Sequence, residues 1–181
     1  MNIASEKKEE NIVEYILYLW QMEDLLRAVQ FDIEAVAGLF EGQLDEESVI
    51  QEVAWFKELS KQMQVQKIEK KGHVHEVTEL TTELAYLHAS LLNVFQDKDY
   101  IKAYEEGSPE LEAFKKKSDQ QFGNEIEPGL IALYGLLNLK LKRVEISEET
   151  LKSMALIQKM FAILADRYGK MKRGELTTNL N

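Results

Sequence analysis

Residues 14–28 read EYILYLWQMEDLLRA, and this stretch decides the fold. At 100° per residue, Ile12, Ile16, Leu19 and Leu26 fall on one helical face. Tyr15, Tyr18, Met22, Leu25 and Val29 widen that face on one side, and Val13 and Trp20 on the other. Only Glu14, Gln21 and Ala28 form an outer stripe. A helix this apolar is central to its fold or covered by another subunit. The spacing predicts one long helix from about Glu6 to Gln30, with Glu23 set into its greasiest face.

The same 3.6-residue period governs the rest of the chain, with no strand-like alternation. A short helix is expected over Ile33 to Phe40, closed by Gly38 and Gly42. Asp45 followed by Glu46 and Glu47 opens a helix that runs through Val49, Val53, Phe56, Leu59 and Met63 to about Lys70. Lys70-Lys71-Gly72 reads as its C-terminal signature. Val77, Leu80, Leu84, Leu87, Leu91 and Val94 mark the buried seam of the next helix. DKDYIKAYEEG, from Asp97, reads as a short helix, and Ser108-Pro109-Glu110 as the start of another. Gly123-Asn124 breaks that one, with Asn124 capping a helix that carries Pro128 in its first turn. Ser147-Glu148-Glu149 opens the last, whose core line is Leu151, Met154, Phe161, Leu164 and Tyr168. The reading is all-α: a single-domain helical bundle over residues 1–175, with six or seven helices, four of them long, and a frayed tail at 176–181.

Bulk composition narrows the function. The 181 residues are 45% hydrophobic and contain no cysteine, which excludes disulfides, thiolate metal sites and cysteine nucleophiles. A net charge of −10 opposes attraction to nucleic acid or anionic lipid. The charge is uneven: Lys140 to Glu175 holds nine Lys or Arg against five Asp or Glu, a solvated basic face or a patch for the acidic body of a second copy. The longest apolar run, GLIALYGLLNL at 129–139, is too short for a membrane span, and the N-terminus lacks the pattern of a secretory signal. A soluble, cytoplasmic protein is expected.

Four residues are candidates for a polar cluster: Glu23, Arg27, His73 and His88. Glu23 and Arg27 have i, i+4 spacing, at which the two side chains meet. They reach water at the end of the core, or are buried with added partners, or line a cavity. His73 and His75 would point about 200° apart on one helix, and His75 with Glu79 supplies only two ligands, short of a zinc set. The Glu-x-x-His spacing of di-iron bundles is missing, so no metal and no cofactor is expected. His88 lies near the seam of its helix, either as a half-buried histidine bonded to a carbonyl or hydroxyl, or paired across the bundle with Glu23. Phosphate loops, dinucleotide fingerprints and nucleophile elbows are missing. Trp20 and Trp55 read as packing anchors first and interface residues second.

EYILYLWQMEDLLRA, KKGHVHEV, YLHASLL and ALYGLLNLKLKRVEISEETL together resemble an uncharacterised bacterial family known only as a domain of unknown function, series number four-nine-two-four. The resemblance covers nearly the whole chain and implies an all-helical cytoplasmic protein. It carries no reaction, ligand or partner, so no functional residue is transferred. The residues themselves favour a non-enzymatic protein acting through self-association or a protein partner. The motive is surplus apolar surface at 12–29 and 130–139. The alternative is a small-molecule binder or enzyme with a pocket around Glu23, Arg27 and His88.

Overall fold

The computed structural model describes residues 2–40 and 42–176. The chain is all-α, and among the described residues it forms eight helices rather than six or seven: α1 (Ile3–Glu10), α2 (Ile12–Ala28), α3 (Ile33–Gly38), α4 (Glu46–Val65), α5 (His75–Asn93), α6 (Lys98–Lys117), α7 (Glu127–Leu141) and α8 (Glu148–Lys172). They fall into two compact units, residues 1–80 and 81–181. The expected frayed tail lies, from 177 onward, outside the described residues.

In the first unit, the long helix expected over 6–30 is two helices. Asn11 leaves helical geometry at φ −154°, and its side chain accepts from the amides of Val13 and Glu14. It thereby satisfies two of the donors that a helix start leaves without partners. α2 packs on α1 and α4, and α3 on α4. Ile12, Ile16, Leu19 and Leu26 are all buried, as the spacing predicts. The apolar surplus of α2 is thus hidden rather than displayed: Tyr15, Tyr18 and Trp20 are buried too. Asp45 caps α4 through the Ser48 amide, as expected.

α4 stops earlier than the lysine-glycine signature suggests. Lys67 takes a positive φ of 57°, the Ile68 amide donates to the Met63 carbonyl at 2.9 Å, and that of Lys67 to Gln64 at 3.1 Å. This is a Schellman closure built on a lysine where glycine is usual. Lys70, Lys71 and Gly72 therefore belong to the connection 66–74, where Gly72 turns the chain at φ +99°.

In the second unit, α6 lies against α8 along most of its length, and α7 packs on both. Tyr100, Ala103, Gly107 and Leu111 form the buried stripe of α6. A Cβ at Gly107 would sit 3.3 Å from the Leu156 carbonyl oxygen, so the two backbones approach closely there. Pro109 does not restart a helix as expected but lies inside α6. Proline removes the donor for the Glu105 carbonyl, yet both residues are exposed, so water replaces the bond cheaply. Asp97 caps α6 through the Tyr100 amide and pairs with Arg167 of α8 at 2.6 Å.

Asn124 accepts from the amides of Ile126 and Glu127, each at 3.0 Å, and Pro128 sits in the first turn of α7, as predicted. Ser147 caps α8. Met154, Phe161, Leu164 and Tyr168 are buried, whereas Leu151 and Val94, both expected in the core, are exposed. Each lies beside a helix end, Val94 just after α5 and Leu151 in the first turn of α8.

Candidate functional site

Glu23 is wholly buried, and its partners come from the connection between α4 and α5. One carboxylate oxygen accepts the Val74 amide at 2.8 Å, and the other meets His73 Nδ1 at 2.5 Å. The His73 ring lies flat on Trp20, centroids 4.6 Å apart and planes 18° apart, with two-fifths of its side chain exposed. A carboxylate in the apolar face of α2 is thus compensated by charge-assisted bonds. Arg27 does not meet Glu23 as the i, i+4 spacing suggests. Its Nη1 pairs with Asp24 at 3.0 Å, and its Nη2 donates to the carbonyls of Ile68 at 3.1 Å and Gly72 at 2.5 Å. Glu23 and Arg27 hold the same segment from different points: the arginine takes its carbonyls, the glutamate its amide and imidazole. The arrangement clamps a loop to a helix, which is a structural task.

His88 belongs to the second unit, and its hydrogen-bond set shares no residue with that of Glu23. It is 2% exposed. Tyr100 and Tyr104, one turn apart on α6, approach it edge-on, with ring centroids at 5.7 and 5.0 Å. The Tyr100 hydroxyl lies 2.7 Å from Nδ1, and Nε2 lies 3.1 Å from a Glu125 carboxylate oxygen. Burial pushes the Tyr100 hydroxyl well above its ordinary range, and nearby Tyr104 and Glu125 add to the effect. Burial likewise holds the His88 imidazole below its usual pKa, outweighing the opposing pull of Glu125. Both directions select one protonation pattern: the tyrosine donates to Nδ1, and the neutral imidazole donates from Nε2 to Glu125.

Glu125 opens this buried pair to the surface. Its side chain is 72% exposed and lines a cleft of about 470 Å³ with Thr82, Ala85, Tyr86, Ala89, Gly123 and Asn124. Residues 82, 85, 86 and 89 are one face of α5, spaced i, i+3, i+4 and i+7. The opposite wall is tied down, because Glu127 accepts the Gly123 amide and Asn124 accepts the amides of Ile126 and Glu127. Of the four residues singled out by sequence, Glu23, Arg27 and His73 converge on one loop in the first unit, and His88 anchors this arrangement in the second. Tyr100, Tyr104 and Glu125 were missed. The i, i+4 tyrosines of YIKAY, in a stretch of weak apolar pattern, were the available signal.

Among the described residues, no helix is long and apolar enough to cross a membrane. Residues 1–175 match the family described as Domain of unknown function (DUF4924). No curated protein and no solved structure matches the chain.

Proposed function

The chain belongs to the DUF4924 family, whose description names no reaction, and we propose that it acts without catalysis, by binding a second copy of itself through the junction of α7 and α8. One observation carries the reading. Leu139, Leu141, Val144 and Leu151 are 37%, 62%, 48% and 42% exposed. Arg143 turns the chain at φ +53°, and the Val144 amide donates to the Leu139 carbonyl at 3.0 Å, which sets Leu139 and Val144 side by side. Exposed apolar side chains gathered in so short a stretch mark a contact surface.

Charge selects the occupant. Lys140, Lys142 and Arg143 are exposed among those apolar residues. Residues 1–80 carry eight Lys or Arg against seventeen Asp or Glu, so an acidic surface of suitable sign exists on every copy. Opposite charges steer and register such an encounter, and the leucines supply the apolar area that it removes from water. A cytoplasmic setting accords with the cysteine-free composition.

Light scattering over a concentration series tests the proposal. Wild-type protein is expected to exceed the 20.9 kDa of one chain at tens of micromolar. Leu141→Glu, at an exposed position, is expected to remain helical and run as a monomer. An association that this variant leaves unchanged would refute the assigned surface.

A further inference from the structure

We propose that the cleft beside His88 binds a small organic cation, an alkylammonium, held between the Glu125 carboxylate and the Tyr86 ring. Three features of the cleft support this. First, its anion is preorganised. His88 Nε2 fixes one Glu125 oxygen at 3.1 Å, and the other oxygen has no protein partner among the described residues. Since the imidazole is neutral, it orients the carboxylate without cancelling its charge, and Tyr100 locks the tautomer that makes this possible. The neighbouring Glu127 is different, because its carboxylate is occupied by the Gly123 amide.

Second, Tyr86 is 73% exposed in the middle of the same cleft wall, with no ring partner among the described residues. An aromatic face open to solvent beside a carboxylate attracts a cation by its quadrupole as well as by charge. Third, Ala85, Ala89 and Gly123 leave the lining smooth and apolar between the two polar points. The α5 face from Thr82 to Ala89 runs about 10 Å, which accommodates an alkyl chain a few carbons long. A volume of about 470 Å³ also lies in the range of small-molecule sites. An anionic ligand would meet Glu125 with like charge, and a neutral one would leave its negative charge uncompensated.

The test is an NMR titration of the full chain with n-butylammonium, read on the Ala85 and Ala89 methyl signals, with 1-butanol as the uncharged control. The expected result is a saturable shift at both methyls for the ammonium and none for the alcohol. Glu125→Gln and Tyr86→Leu, both at exposed positions, should each weaken binding about tenfold, whereas Tyr86→Phe retains it. The proposal is overturned if no saturable shift occurs, if butanol reproduces the shift, or if Glu125→Gln binds as well as wild type. None of these readouts depends on self-association, so the site stands or falls independently of the α7–α8 surface.

Discussion

Placing a methyl group at Gly129 tests the packing of α7 on α8 where it is tightest. A Cβ there would lie 2.2 Å from Cε2 and 2.4 Å from Cζ of Phe161, and 3.4 Å from a Leu111 methyl. Carbon atoms pack at about 3.5–4.0 Å, so the phenyl edge must retreat by about 1.5 Å. Phe161 is 1% exposed and Leu111 is 4% exposed, and neither ring nor methyl has empty space to enter. Forcing extra volume into such a core costs about 1–3 kcal/mol, and alanine's better helix propensity returns at most about 1 kcal/mol. A retreat this large puts the cost near the upper end of that range, so Gly129→Ala is expected to destabilise the protein by about 2 kcal/mol. Gly135, on the same helix, is exposed and has no atom within 4 Å of its would-be Cβ. The identical substitution there should stabilise by about 0.5–1 kcal/mol. Urea unfolding followed by far-ultraviolet circular dichroism gives both values, with unchanged m supporting the comparison. A Gly129→Ala protein as stable as wild type would refute the packing argument.

Removing the Glu23 carboxylate by Glu23→Ala leaves the buried Val74 amide unpaired and frees His73 from Trp20. It is expected to cost about 2–4 kcal/mol in urea unfolding. In a Trp55→Phe background, it should also change the emission of Trp20. Unchanged emission would mean that the His73–Trp20 stack does not depend on Glu23. Because burial lowers the His88 pKa, the unfolded chain binds more protons than the folded one below the ordinary histidine pKa. Stability from this residue is complete well above the ordinary histidine pKa of about 6.5 and falls as pH drops below it. His88→Gln should flatten that dependence relative to wild type, and a parallel pair of pH profiles would contradict the assignment of a neutral buried imidazole.

The starts of the helices were legible because a cap is a local event. Asp45 and Ser147 accept from amides three residues on, Pro128 takes a first-turn position where a missing N–H costs little, and the structure places each where its chemistry predicts. Asn11 escaped notice because the apolar period on its two sides fits one unbroken helix. Pro109 misled because the bond it removes belongs to the exposed Glu105 carbonyl, which water can serve, so the helix continues through it. Lys67 ended α4 in a conformation for which no glycine gave warning.

The candidate sites were half legible on the same physical grounds. A carboxylate at position 23 announces a buried charge that needs partners, and His88 announces a polar group on an apolar seam. The residues that satisfy them stand 50 and 51 positions away for Glu23, and 12 and 37 away for His88. Local periodicity carries no information over such separations. Arg27 shows the converse: the favourable spacing to Glu23 was real, but carbonyls presented by a turn at Gly72 and a nearer acid, Asp24, took its donors.

Sedimentation equilibrium of the unmodified protein at about 50 µM, in about 20 mM and then about 500 mM salt, tests most directly whether a basic apolar junction meets an acidic second copy. The account predicts a mass near twice the 20.9 kDa of the chain at low salt, moving toward the monomer as the charges are screened. A mass of one chain at both salt concentrations would contradict it.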